Sequence, residues 1–106
     1  MYEDMDWEKK QTLLTRIGFM YRNCEIQMRL HGGFVVEESS ALYKYLEVKS
    51  SVDLALKKMT YEEIRIIKNE YLKNTRENWY LAFYHEEEYH MLLQTVANTF
   101  LGCLYG

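Results

Sequence analysis

The chain has no proline and only five glycines in 106 residues. With so few obligatory breakers, long helices are favoured over a fold of many short strands and tight turns. There are two cysteines, Cys24 and Cys103, far apart and in no CxxC or other metal-ligand spacing, so both read as core thiols on apolar helix faces. No apolar run approaches the roughly 18 residues of a membrane span. At the N-terminus, Glu3, Asp4 and Asp6 stand where a secretory signal carries positive charge, and a cytoplasmic protein is expected. Residues 77–106 lack Lys and Arg altogether, while holding Glu77, Glu86, Glu87 and Glu88.

What is present fits a single globular domain. A chain of this length buries roughly 60 to 65% of its unfolded surface, enough for one modest core. Its 48% hydrophobic and 27% charged residues, with a net charge of -3, exclude the disordered class and give no overall attraction to phosphate. The expected fold class is all-α, a single-domain bundle of five to six helices over residues 1–106. Residues 1–50 would supply the N-terminal helices, and residues 51–106 the second half.

Helical periodicity places the elements. Leu14, Ile17, Tyr21, Cys24 and Met28 step by three or four, predicting a helix from about Asp6 to Leu30 that His31, Gly32 and Gly33 stop. Phe34, Val35 and Val36 read as a buried loop, with no pairing partner for a strand. Ser39 or Ser40 can cap a helix carrying Leu42, Tyr45 and Leu46, and Ser50 with Asp53 offers another start, which leaves one bent helix or two. Thr60-Tyr61-Glu62-Glu63 is a capping box, with Met59 and Ile64 at the staple positions, and predicts a helix from Tyr61 to about Leu72 that buries Ile64, Ile67 and Tyr71. Polar residues 73–78 make a loop, and Trp79 to Tyr84 a short helix. A last helix from about Glu86 carries the stripe Tyr89, Leu92, Leu93, Val96, Phe100 and Leu104, and its three glutamates favour the positive end of the helix dipole.

Val52, Leu54, Ala55, Leu56 and Met59, then Thr60 to Leu72, then Trp79, Tyr84, Tyr89, Ala97, Phe100 and Leu101 together carry a resemblance. The run from Ser51 to Leu104 resembles the helix-turn-helix of small bacterial and phage regulators related to region 4 of sigma factors, including the phage activator group called RinA or ArpU. That resemblance implies a transcription-associated protein whose last helix lies where the family's recognition helix lies. Such helices open with hydroxyl and basic side chains, the donors that reach bases and phosphates. Here the corresponding positions are His85, Glu86, Glu87, Glu88, His90 and Met91, and three carboxylates repel a phosphate backbone.

Two candidate surfaces follow. Lys57, Lys58, Arg65, Lys68, Lys73 and Arg76 put six cations into the 20 residues before the acidic end; converging on one face, they would touch DNA phosphates. The bland alternative is a solvated helix face interspersed with Glu62, Glu63 and Glu70. The acidic end, with Tyr80, Tyr84, His85, Glu86, Glu87, Glu88, His90 and Tyr105, suits a basic protein partner such as an element of the transcription machinery. Tyr80, Tyr84 and Tyr105 are the tyrosines expected in surplus exposure, where aromatic residues serve as binding anchors. Adjacent Leu92 and Leu93 widen the last helix's stripe and admit a homodimer.

Enzymatic readings find little support. Glu87 and His90 have the Glu-x-x-His step of carboxylate-bridged di-metal bundles, but the second pair that such a site needs is missing. His85 and His90, five apart, point to different faces. Gly32-Gly33 lacks the Lys and Ser or Thr of a phosphate loop, and no Ser or Cys has a recognisable His and acid partner. A non-enzymatic protein without cofactor or metal is expected. In order of preference, it is a transcription-associated regulator acting mainly through protein contacts with residual DNA contact, a sequence-specific DNA binder, or a helical assembly module unrelated to transcription.

Overall fold

The computed structural model describes residues 4–31 and 41–106, and these form four α-helices and no strand. They are α1 (Trp7–His31), α2 (Ala41–Leu56), α3 (Tyr61–Ile67) and α4 (Glu86–Tyr105), with a π turn over Lys68–Leu72 and a 3-10 turn over Trp79–Ala82. The all-α expectation holds, but the count is four rather than five or six. The Gly32-Gly33 stop, the Phe34–Val36 loop, the Ser39 or Ser40 cap and the Leu42 side chain lie outside the described residues. No helix among the described residues is long and apolar enough to cross a membrane.

Each helix start follows from local chemistry. The Asp6 carboxylate accepts the Lys9 amide at 2.9 Å and so caps α1. Four of its predicted core positions, Leu14, Ile17, Tyr21 and Cys24, are buried, whereas Met28 in the last turns is exposed. The α2 helix is continuous through Ser50 and Ser51, because extending a formed helix adds a hydrogen bond per residue whereas a new start repeats the cost of nucleation. Asp53, the candidate for a second start, instead accepts the Tyr21 hydroxyl at 2.9 Å and the Lys49 ammonium at 2.7 Å.

At α3 the capping box is complete: the Glu63 amide donates to Thr60 Oγ1 at 3.2 Å, and the Thr60 amide to Glu63 Oε1 at 2.8 Å. The helix does not run to Leu72 as an α-helix. After Ile67 it widens into the π turn, closed by the Lys73 amide donating to the Lys68 carbonyl at 2.8 Å. Neighbours Tyr71 and Leu72 are both buried there, although a 3.6-residue period would set them about 100° apart on the helix.

One cluster of buried side chains draws on all four helices. Leu14 and Ile17 of α1, Val52 and Ala55 of α2, Ile66 and Ile67 of α3 and Phe100 and Leu101 of α4 are among its members. Fully burying such a side chain is worth about 1.5 to 3 kcal/mol. Ile66 and Ile67 are the fully buried residues of α3, and Ile64 packs half-buried at the margin of the cluster. Leu93 is buried and Leu92 half-buried against the same core.

Candidate functional site

The acidic end is built around one buried ring. Tyr89, in the first turn of α4, is fully buried, and the Tyr80 ring of the 3-10 turn stacks flat on it at 4.0 Å with an interplanar angle of 4°. Trp79 packs edge-on against Tyr89 at 5.6 Å. From the π turn, the half-buried Glu70 carboxylate accepts both the Tyr89 hydroxyl at 2.8 Å and the Trp79 indole N–H at 3.1 Å. A single carboxylate on the π turn therefore fixes the 3-10 turn and the start of α4 together. Burial, then the hydrogen bond to Glu70, pushes the Tyr89 phenol well above its ordinary pKa.

This packing corrects the reading of Tyr80, which is only 6% exposed because Tyr89 takes one face of its ring and Trp79 an edge. Tyr84 is half-buried and serves as a bridge. Arg65 of α3 donates to its hydroxyl at 2.9 Å, and that hydroxyl donates to Glu62 Oε2 at 2.9 Å. The Arg65 guanidinium also lies over the Phe83 ring, 4.4 Å from its centroid. Arg65 is thus engaged within the chain by one hydrogen bond and a ring contact.

The acidic end presents both carboxylates and apolar side chains to solvent. His85, Glu86, Glu87, Glu88 and His90 are all exposed. His90 reaches Glu86 at 3.9 Å and His85 reaches Glu88 at 4.0 Å, contacts that become ion pairs only on protonation. Also exposed are Met91 of α4, 74%, and, in the segment before α4, Phe83, 58%, and Leu81. Sequence reasoning named Met91 only as a departure from the recognition-helix pattern and passed over Leu81 and Phe83; for Met91, a position between the buried steps Tyr89 and Leu93 was the available signal. Among the described residues no group of three His, Cys, Asp or Glu side chains is placed to hold a metal.

The six candidate cations do not gather at one point. Lys57 and Lys58 precede α3 and Lys73 and Arg76 follow its π turn, so the 12 residues of α3 and the π turn, roughly 18 Å along the axis, lie between the two pairs. Lys68 is half-buried between them. Lys73 instead shares a depression with Arg22 and Arg29 of α1, two residues that sequence reasoning passed over, although their spacing of seven puts both on one helical face. Tyr105 is exposed at the end of α4, where with Leu104 it borders an apolar groove of about 300 Å³ against Leu13 and Ile17 of α1 and Val48 of α2.

No protein-family model, curated protein or solved structure matches the chain.

Proposed function

We propose that this chain is a non-enzymatic, transcription-associated regulator whose second half follows the helix-turn-helix plan of sigma region 4, and that it acts mainly by protein contact through its acidic end. Supporting the plan is the order of elements from the capped α3, through the polar loop and the 3-10 turn, to the long α4. The single observation that carries the protein-contact reading is the composition of the exposed start of α4. Glu87 and Glu88 there stand four and three residues before exposed Met91 on the same helical face, exposed Leu81 and Phe83 precede the helix in the chain, and Arg65 is bound to Phe83 and Tyr84. Exposed apolar side chains in a segment that carries one sign of charge suit a protein partner of the opposite sign, and the carboxylates repel a phosphate backbone.

The test is binding of the purified chain to purified bacterial RNA polymerase by biolayer interferometry, with Glu86→Lys/Glu87→Lys/Glu88→Lys and Phe83→Ala variants alongside. Binding that both variants weaken supports the reading. No binding, or binding that neither variant changes, sinks it.

A second reading, a helical assembly module, is favoured by one observation. Phe19, Ile26 and Leu30 are all exposed on α1, and their spacings of seven and four place them in one stripe. Sedimentation of the wild type against Phe19→Ser/Ile26→Ser separates the readings: a concentration-dependent oligomer that the variant dissolves favours assembly, and a monomer at all concentrations removes it.

A further inference from the structure

We propose that the depression between α1 and the C-terminal end of the π turn binds a phosphate group. Arg22, Glu25 and Arg29 form its α1 wall, and Leu72, Lys73 and Asn74 face them across a space of about 270 Å³. The inference does not rest on the protein contact at the acidic end.

Charge is the first argument. Three cations and a single carboxylate line this space, a local excess of positive charge in a chain whose net charge is -3. Among the described residues none of Arg29, Lys73 and Glu25 belongs to an ion pair within 4 Å, so the lining keeps its excess of positive charge. Arg29 and Lys73 are exposed and carry their charges at the rim, on opposite walls.

Preorganisation is the second. Arg22 donates through Nη1 to the Tyr71 carbonyl at 2.6 Å, and this holds its guanidinium against the end of the π turn. A guanidinium fixed at one N–H still offers others, in the planar fork that matches the oxygens of a phosphate. The Asn74 amide adds a neutral donor beside Lys73. The apolar Leu72 side chain, buried at the base of the same wall, lowers the local dielectric and strengthens each charge-assisted hydrogen bond made there.

Phosphate chemistry has two sources, a free phosphate ester or the backbone of a nucleic acid, and the experiment separates them. The full chain, labelled with ¹⁵N, is titrated with inorganic phosphate at constant ionic strength, beside the Arg29→Gln/Lys73→Gln variant, whose two sites are exposed. The expected result is a saturable shift of the Arg22, Arg29, Lys73 and Asn74 amides, weakened about tenfold or more in the variant, as loss of charge-assisted hydrogen bonds demands. Non-saturable shifts, shifts scattered over the molecule, or equal affinity in the variant would overturn the proposal. Unchanged far-ultraviolet circular dichroism shows that the variant is folded.

The same two proteins are then measured by fluorescence anisotropy against a DNA duplex over a range of salt. Wild-type binding whose log-log salt slope falls by about 0.9 for each cation removed assigns the site to a nucleic-acid backbone. Phosphate binding without DNA binding assigns it to a free phosphate ester.

Discussion

Gly18 of α1 faces the main-chain carbonyl of Tyr71 so closely that a Cβ at position 18 would overlap the carbonyl oxygen. The obstacle is backbone, and it is held in place from the same helix by Arg22, which donates to that carbonyl. Gly18→Ala therefore sets two effects against each other. Alanine gains about 1 kcal/mol of helix propensity over glycine, while overpacking at a buried backbone contact costs typically about 1 to 3 kcal/mol. Because the π turn must move for the methyl to fit, the steric cost wins. Thermal unfolding should show a lower midpoint for Gly18→Ala, and an unchanged or higher midpoint would mean that α1 and the π turn are not packed this closely in solution.

Glu70 joins three elements through two hydrogen bonds, and its removal leaves both donors behind. Tyr89 is fully buried, so in Glu70→Ala its hydroxyl has no access to water, and an unsatisfied buried group costs roughly 1 to 3 kcal/mol. Tyr89→Phe removes donor and demand together and should cost less. A double-mutant cycle on Glu70→Ala and Tyr89→Phe by urea unfolding is expected to give a coupling of roughly 0.5 to 3 kcal/mol. Additive effects would show that the pair does not bond in solution.

Those two contacts also mark how far the sequence could be read. Thr60 and Glu63 signal a helix start across three residues, and the structure forms the complete capping box; the Glu86 start of α4 and the buried stripe of Leu14 to Cys24 were legible for the same reason, that short-range periodicity and capping decide them. Illegible features depend on residues distant in sequence. The π turn answers to Gly18 and Arg22, about fifty positions earlier, and Tyr80 is buried because Tyr89 offers it a flat ring to stack on. Arg65 read as one of six cations on a charge face, yet its surroundings are set by Phe83 and Tyr84 from the 3-10 turn and its flank. In the same way Lys73 gained Arg22 and Arg29 as neighbours only through the packing of α1 on the π turn.

Alkaline pH should unfold the protein from its tyrosines. Burial first, then the hydrogen bond donated to Asp53, pushes the Tyr21 phenol up to about 12, and burial also raises Tyr71 and Tyr89. A raised folded pKa means that the native state holds the proton more tightly than the unfolded chain, whose phenols titrate near 10. This contribution to stability is complete below about pH 10 and is lost as pH rises from there through the folded pKa values. Lys49 acts in the same direction, since its hydrogen bond to Asp53 raises its pKa. Urea midpoints should be unaffected by these groups near neutrality and fall above pH 10. Phenolate absorbance should rise in two stages, the exposed tyrosines first and the buried ones with unfolding; a single stage near pH 10 with retained helix would contradict the burial.

Arg65 separates a structural cation from a functional one. Its guanidinium lies over Phe83 and donates to Tyr84, which in turn donates to Glu62, so truncation removes a cation–π contact and one end of a hydrogen-bonded bridge. A cation–π contact on an exposed ring is worth about 0.5 to 1 kcal/mol, and with the hydrogen bond to Tyr84 also lost, Arg65→Ala should lose stability on the order of 1 to 2 kcal/mol. Lysine keeps the charge but not the planar fork, so Arg65→Lys should recover only part of that loss. Affinity for DNA, measured on folded protein below the variant's unfolding midpoint, should be the same as that of the wild type, because the guanidinium is already engaged within the chain. A loss of DNA affinity in Arg65→Ala with unchanged stability would place Arg65 on a phosphate-binding face and overturn its role as a contact between α3 and Phe83 and Tyr84.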